Sequence, residues 1–295
     1  MSYGPAPMID VDDLLRKTSR TFALAIPLLP EPTRRAVSVA YLLFRVADTL
    51  EDATEWPRAS RVVALGDFVT ALGDRSAAPA LRARWLATPP CRHEGYLELL
   101  GELPGVLAEL DRLPPRARAI IVRHATRTAE GMARVVTRGS EHGVLTLGSV
   151  EELRDYCYLV AGIVGELLTE LFLNDAVQLE SVRADLEADM VLFGEGLQLV
   201  NILKDERADA GDGRSYMPPA VPRAEVLELA RRDLVAARRY IDALRRARAP
   251  RGFVAFTSLC VSLASASLDR LDAESGAKLT RQDVFGILER VKSLV

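Results

Sequence analysis

Prolines divide this chain into apolar stretches with helical periodicity, and this division constrains the fold more than any other feature. Between the proline clusters, alanine, leucine, arginine and glutamate dominate, and alternating β-branched residues are scarce. Because proline interrupts helices and these residue types favour them, nearly every gap predicts a helix and the chain is predicted to be all-α. The predicted helices cover residues 10–25, 33–53, 58–73, 93–110, 115–137, 149–174, 178–208, 223–247, 252–272 and 280–294.

Size and composition are typical of a globular protein with a large core. The chain has 295 residues, of which 49% are hydrophobic and 27% are charged. No repeat or polar linker separates two halves, so we expect one α-helical domain over 1–295, with residues 1–10 as a loose arm. The net charge is −3 and the arginines alternate with carboxylates, which argues against a nucleic-acid partner.

Targeting and redox signals are weak in this sequence. Cys91, Cys157 and Cys260 lie far apart, so neither a disulfide framework nor a cysteine zinc site is predicted. The N-terminus lacks a basic start followed by an apolar stretch, and no uninterrupted apolar run reaches the roughly 18 to 20 residues of a spanning helix. We therefore expect a cytoplasmic protein with at most peripheral contact to a membrane surface.

A first polar stripe runs along the predicted helix 33–53, which is otherwise apolar around most of its circumference. Tyr41, Arg45, Asp48 and Asp52 have offsets of 0, 4, 7 and 11 residues. At about 100° per residue these positions fall within a sector of about 60°. They are therefore expected to share one face of a buried helix.

A second stripe occurs at residues 189–209 and has the same character. Gln198, Asn201, Asp205 and Asp209 lie at offsets of 0, 3, 7 and 11 residues, among leucine, isoleucine, valine and phenylalanine. They again share one narrow sector of a mostly buried helix. The two stripes are alike in holding two aspartates each.

Two interpretations of these aspartates are open from the spacing alone. Each pair can be the solvated edge of an amphipathic helix, which is the commoner case for an isolated pair. Alternatively, both pairs point inward, and buried carboxylates then need compensation because each costs several kcal/mol without a cation. Magnesium binds one or two carboxylates and completes its shell with water and substrate phosphates. Facing aspartate pairs would therefore clamp a diphosphate and assist its departure.

The chain resembles the squalene and phytoene synthase family of head-to-head prenyl transferases. The resemblance runs from about Ser19 to Lys292, nearly the whole chain. Four blocks in order carry it: SRTF at 19–22, YLLFRVADTLED at 41–52, YCYLVAGIVG at 156–165, and QLVNILKD at 198–205, which is followed by Asp209 and by GRSYMP at 213–218.

The resemblance implies an isoprenoid synthase-type helical bundle around a central cavity. It implies three Mg²⁺ ions and two molecules of one prenyl diphosphate, most simply farnesyl diphosphate, joined through a cyclopropyl diphosphate. It also implies roles for individual residues. The metal ligands would be Asp48, Asp52, Asp205, Asp209 and Asn201; the diphosphate ligands would be Ser19, Arg20, Arg45, Gln198, Asn201, Lys204 and Arg214; and Tyr41 and Tyr156 would line the reacting carbons.

The sequence departs from the family pattern at two places. The second aspartate motif commonly carries an additional glutamate, but Ala208 stands in that position, so weaker metal binding is expected there. The predicted helix 252–272 lacks the tyrosine of many carotenoid-type members and has Phe256 instead. Together with Lys278 and Arg281, which would attract NADPH, this region favours the squalene synthase branch.

Several alternatives stay open at this point. A carotenoid-type synthase would make dehydrosqualene or phytoene without reduction, and a more distant relative would transfer its prenyl group to another small acceptor. A catalytically silent helical protein would only bind prenyl lipids or a partner. The small residues of VAGIVG at 160–165 predict a close approach, either by a prenyl chain or by a neighbouring helix.

Overall fold

The computed structural model describes residues 9–139, 146–211, 215–272 and 278–293, without the side chains of 207–211. Within these ranges the regular structure is helical and no strand occurs. One isolated parallel bridge joins Thr146 and Ser215. The prediction of an all-α fold is therefore confirmed.

The contacts of the chain divide it into two compact units. The first comprises Met1–Ile26 and Glu31–Gly143, and the second comprises Pro27–Pro30 and Val144–Val295. A single domain over 1–295 and a central cavity therefore stay predictions. Asp10, which the sequence placed in a loose arm, accepts the Asp13 N–H at 2.9 Å and caps the first helix.

The first unit contains eight α-helices among its described residues. The break between α1 and α2 and the break between α6 and α7 divide two segments that were predicted to be continuous. Helix α5 was not among the predicted helices; it carries Pro79 in its first turn, where proline is well tolerated. The helices are α1 Val11–Thr18, α2 Phe22–Ala25, α3 Thr33–Glu51, α4 Arg58–Gly73, α5 Ala78–Ala87, α6 Glu94–Gly101, α7 Leu103–Arg112 and α8 Pro115–Arg138.

The second unit is built on one long helix, α11, which packs against α10, α12 and α13. The predicted helix 149–174 is one continuous helical segment with a π-helical stretch at Tyr158–Gly162. Such wider turns occur often at functional sites. The helices of this unit are α9 Val150–Cys157, α10 Ile163–Asp175, α11 Arg183–Gly211, α12 Arg223–Arg246, α13 Arg251–Asp272 and α14 Arg281–Ser293.

Glycines bring the VAGIVG segment into close contact with α11. A Cβ atom added at Gly165 would overlap the carbonyl oxygen of Met190, and one added at Gly194 would overlap that of Ala161. The cost of glycine in a helix, about 1 kcal/mol relative to alanine, is thus offset by backbone contact between two helices. Of the two partners predicted for this segment, the structure shows the neighbouring helix.

A buried charged network joins α9, α11 and α12 and was not predicted. Arg154 Nη2 lies 2.7 Å from Glu195 Oε2, and Arg154 Nη1 lies 3.3 Å from Asp233 Oδ2. Burial raises the pKa of Glu195 to about 7; Arg154 opposes this rise, and Asp233 adds to it. Burial likewise raises the pKa of Asp233 and of the nearby Cys157 thiol. One arginine therefore holds two carboxylates together at the centre of this unit.

Two helical segments of the second unit are long and apolar enough to cross a membrane by length and composition. They are Val150–Asp175 and Arg251–Asp272, and 67% and 61% of their most apolar windows are buried. Core helices of globular proteins pass the same test when they are mostly buried. The sequence-based expectation rested on uninterrupted apolar runs. A mean hydropathy over a window also admits segments that contain a few polar residues, so these two segments pass it.

We predict that Gly165→Ala and Gly194→Ala each lower the free energy of unfolding by about 1 to 3 kcal/mol, because the added methyl group must push the helices apart. Gly66→Ala is the matched control, since a Cβ atom at this helical position of α4 meets nothing within 4 Å. The control should be neutral or more stable by up to about 1 kcal/mol. Urea unfolding followed by circular dichroism measures all three, and equal effects would contradict the packing argument.

We predict that the buried network makes stability pH-dependent. Between the ordinary pKa of Glu195, 4.5, and its folded value of about 7, the folded state holds a proton that the unfolded state releases. The contribution of Glu195 is therefore greatest below pH 4.5 and is lost as pH rises through about 7.

Relative to Glu195→Gln, the wild type should lose about 1 to 3 kcal/mol of unfolding free energy across this window. Denaturant unfolding at several pH values provides the measurement. The control Glu187→Gln changes an exposed glutamate on the same helix and should leave the pH profile of the wild type unchanged. Parallel profiles for the wild type and Glu195→Gln would refute the assignment.

Candidate functional site

The first aspartate stripe is the accessible face of an otherwise buried helix. From position 36 to 52 the only residues that are not buried are Tyr41, Arg45, Asp48 and Asp52, the four that the spacing placed together. Tyr41, Arg45 and Asp48 are half-buried, and Asp52 is exposed. The remaining residues of this stretch pack into the core of the first unit. The predicted shared face is therefore confirmed, while the chemical roles of its members stay predictions.

Arg45 is the centre of this stripe. Its Nη1 lies 3.3 Å from Asp48 Oδ2, and its Nε and Nη2 donate to the Tyr41 hydroxyl at 3.3 Å. Tyr41 in turn donates to the Thr18 carbonyl at 2.8 Å. The guanidinium is thus held on one side by a carboxylate and on the other by a phenol, which fixes the direction of its remaining donors.

Asp48 is the carboxylate most affected by its surroundings. Burial raises its pKa to about 6, Arg45 opposes this rise, and Asp52 adds to it. Asp52 follows one turn later at the end of α3, where its N–H donates to the Asp48 carbonyl at 2.8 Å. Two carboxylates one turn apart, one of them poorly solvated, form a pair that a cation would stabilise.

Tyr96 on α6 is a member of this site that sequence reasoning missed. The Arg45 guanidinium carbon lies 5.3 Å from the centre of its ring and 5.6 Å from that of Tyr41. His93 stacks on Tyr96 with 4.0 Å between ring centres and caps α6 through its Nδ1. Arg45 therefore sits between two aromatic rings. Helical spacing could not reveal this contact, because Tyr96 lies on a different helix.

The second stripe has its polar residues on α11. Gln198 and Asp205 are half-buried and Asn201 is exposed. The Lys204 ammonium donates to Asn201 Oδ1 at 2.8 Å and lies 3.3 Å from Asp205 Oδ2. A second lysine, Lys278, reaches Asp205 Oδ1 at 3.0 Å. The structure therefore brings Lys278, predicted to bind NADPH, to a carboxylate predicted to bind metal.

Tyr156 lies in the second unit and stacks on Tyr216. The ring centres are 4.8 Å apart and the planes are inclined by 19°. Tyr156 is buried, with 6% of its surface exposed. Tyr216 also borders a cavity of about 330 Å³, together with Ile202, Met217 and Arg223. Tyr216 lies in a quoted family block but received no role from the sequence.

The other predicted residues are placed as follows. Ser19 accepts the Phe22 N–H at 2.9 Å and so begins α2, and Arg20 is exposed. Phe256 is 1% exposed and meets the edge of the Phe172 ring. Arg281 is exposed at the start of α14. The Asp209 side chain and Arg214 lie outside the described residues, as does the side chain of Ala208.

The donors fit magnesium better than they fit a metal bound by protein alone. Among the described side chains no group of three or more His, Cys, Asp or Glu could hold an ion. Asp48 with Asp52 and Asp205 with Asn201 instead offer one or two oxygen donors each, which suits an ion that keeps waters and takes phosphate oxygens from its substrate. The three cysteines are free thiols.

Comparison with known families identifies the chain. The family model for squalene/phytoene synthase matches residues 15–222. The chain belongs to the squalene/phytoene synthase family. This family of prenyl transferases was the one suggested by the four sequence blocks, and all of their residues lie within the matched range.

Squalene synthases are among the curated relatives. The chain is 32% identical over 206 residues to squalene synthase ERG9 of Candida albicans, covering 70% of this chain and 44% of the relative. It is 33% identical over 202 residues to squalene synthase BSS of Botryococcus braunii, covering 68% and 40%. The chain thus matches less than half the length of these relatives.

The fold of this chain is also found in solved structures of a squalene synthase-type protein and of a dehydrosqualene synthase. A complex of TcSQS with the ligand BPH1237 matches with a TM-score of 0.76 and 24% identity, over 95% of this chain and 85% of the other. A dehydrosqualene synthase in complex with a ligand matches with a TM-score of 0.56 and 17% identity, over 96% and 94%. At these identities the likeness establishes the fold.

We predict that Tyr96 positions Arg45 for anion binding. Tyr96→Leu removes the ring under the guanidinium and should weaken binding of inorganic diphosphate about two- to five-fold, the range of an accessible cation–π contact. Tyr96→Phe keeps the ring and should bind as the wild type does. Calorimetric titration with diphosphate in the presence of Mg²⁺ measures both. Equal weakening in the two variants would assign the effect to the hydroxyl instead.

Proposed function

We propose that the chain is a magnesium-dependent prenyl transferase that condenses two prenyl diphosphates head to head, most simply two molecules of farnesyl diphosphate. The observation that carries this proposal is the stripe of Tyr41, Arg45, Asp48 and Asp52, the only accessible side chains between positions 36 and 52. A stripe with two carboxylates and a fixed guanidinium on a buried helix is suited to a phosphorylated ligand rather than to plain solvation. Family membership supplies the reaction class.

In this proposal each of the two stripes would bind Mg²⁺ and diphosphate oxygens. Asp48, Asp52, Asp205, Asp209 and Asn201 would hold Mg²⁺, which supplies Lewis-acid neutralisation of the departing diphosphate. The remaining diphosphate oxygens would meet the cationic and polar side chains that the family resemblance implies as diphosphate ligands. These are Ser19, Arg20, Arg45, Gln198, Lys204 and Arg214.

The chemistry proceeds in two steps. First, the C–O bond of one prenyl diphosphate breaks, the allylic cation is attacked by the double bond of the second molecule, and a proton is lost to give the cyclopropyl diphosphate. Then the second diphosphate leaves and the carbocation rearranges, and bound NADPH would supply the hydride that gives squalene. Tyr41 and Tyr156 would face these cations, since aromatic rings stabilise positive charge and exclude water.

A synthase that ends without reduction is the second candidate. One observation favours it: Lys278, expected to attract NADPH with Arg281 and Phe256, is paired with Asp205 instead. In that case the final cation loses a proton and gives a dehydrosqualene- or phytoene-type product. In both cases the hydrocarbon is insoluble in water, so we propose that the protein releases it at a membrane surface.

We predict that incubation with farnesyl diphosphate and Mg²⁺ releases diphosphate, and that NADPH changes the extracted hydrocarbon from dehydrosqualene to squalene. Chelation with EDTA should abolish the release. Asp48→Asn should lower the rate about 10²- to 10³-fold, because charge stabilisation of the leaving group is lost. Asp67→Asn is the matched control, since this acid pairs with Arg84 away from the stripe.

Each result has a distinct meaning. Gas chromatography with mass spectrometry identifies the product, and a product that is the same with and without NADPH would establish the second candidate. Diphosphate release that persists in EDTA, or that is as fast in Asp48→Asn as in the wild type, would refute the metal clamp. A prenylated small acceptor in place of a hydrocarbon would exclude head-to-head condensation.

A further inference from the structure

Two ammonium groups occupy the two oxygens of Asp205. Lys278 Nζ lies 3.0 Å from Oδ1, and Lys204 Nζ lies 3.3 Å from Oδ2. Lys204 is the neighbour of Asp205 on α11, whereas Lys278 comes from 73 residues further along the chain. A carboxylate on the polar stripe of α11 is therefore neutralised by a cation from a separate segment.

Lys278 is held in place by the junction between α13 and α14. Its backbone carbonyl accepts Arg270 Nη1 at 3.1 Å, and Arg270 Nη2 lies 2.8 Å from Asp283. Asp283 also accepts the Thr280 N–H at 2.7 Å, and the Thr280 hydroxyl caps α14 at the Asp283 N–H, 3.2 Å away. The backbone that carries Lys278 is thus fixed three residues before the start of α14, and its side chain is directed from there to Asp205.

The ammonium and a divalent cation require the same oxygens. Lys204 already engages the Asn201 amide oxygen at 2.8 Å, so both donors proposed for metal on this part of α11 have a lysine partner. Ala208 removes a carboxylate that related motifs often carry, which leaves this stripe with less negative charge to attract a metal. On a stripe with little negative charge, one added positive charge has a larger effect on the affinity for a divalent cation.

We propose that Lys278 is a tethered counter-ion of Asp205, which competes with the divalent cation for this carboxylate and sets the metal concentration that the second stripe requires. The inference rests on the proposed function, because it takes Asp205 as a metal ligand. It differs from the role that the resemblance implied for Lys278, which was an attraction for NADPH. Its consequence is that removing the ammonium tightens metal binding.

The expected effect is modest because the contact is accessible. The Lys278 side chain is 67% exposed and that of Asp205 is 35% exposed. Ion pairs of this kind change an equilibrium about two- to five-fold and weaken as salt screens them. The gain should therefore be greatest at low ionic strength.

The test is a titration of the full chain with Mn²⁺ in the absence of prenyl diphosphate, followed by the EPR signal of the free ion. Asp48→Asn/Asp52→Asn serves as the background, so that the second stripe dominates the binding. In this background Lys278→Met should bind Mn²⁺ about two- to five-fold more tightly at low salt, and Lys278→Arg should resemble the parent. Lys292→Met, which removes an exposed lysine paired with Glu289, is the control and should change nothing.

A double-mutant cycle assigns the effect to the pair. In a background that also carries Asp205→Asn, Lys278→Met should no longer alter Mn²⁺ affinity. If Lys278→Met leaves the Mn²⁺ affinity unchanged while Asp205→Asn weakens it, the counter-ion role of Lys278 is refuted. The proposed metal clamp is then still supported. If Asp205→Asn does not weaken binding, the metal role of Asp205 in the proposed function fails, and this inference fails with it.

Discussion

The placement of carboxylates on helices that have almost no other polar surface is the constraint on which this structure depends. Between position 36 of α3 and its C-terminal cap at position 52, every side chain outside one stripe is buried. The aspartates of that stripe therefore border the apolar core, unlike acids on an ordinary solvated surface. A carboxylate in such surroundings requires compensation by a cation, a hydrogen-bond donor or a proton. Asp48 shows two of these influences, since the Arg45 guanidinium lies beside it and burial raises its pKa to about 6, which favours the protonated form.

The two units meet this requirement in different ways. At Asp48 the compensating charge is an arginine one turn away, which is itself enclosed by two aromatic rings and therefore has little freedom. At Asp205 the charges are lysines, one of which arrives from the junction of α13 and α14. Arginine offers fixed planar geometry, whereas lysine offers a mobile point charge. The first stripe is thus preorganised, and the second is adjustable.

Helical periodicity predicted the parts of the site that lie on one helix. It placed Tyr41, Arg45, Asp48 and Asp52 on a common face, because a fixed angle per residue determines that relation without tertiary information. It could not find Tyr96 against Arg45, Lys278 against Asp205, or the network of Arg154, Glu195 and Asp233, because these contacts join separate elements of the chain. Helix α5 was not predicted either, although its proline lies in the first helical turn, where it is well tolerated.

The π-helical stretch at Tyr158–Gly162 has a consequence for how this segment can vary in length. A wider turn accommodates one residue more than an α-helical turn, so the helix before it is rotated by about 100° relative to an uninterrupted helix. The direction of Tyr156 toward Tyr216 and the contact of Gly165 with α11 are therefore both set by this extra residue. Loss of a single residue here would turn one of these two faces away from its partner while leaving the amino acids at both faces unchanged. Within this segment, residue count matters as much as residue identity.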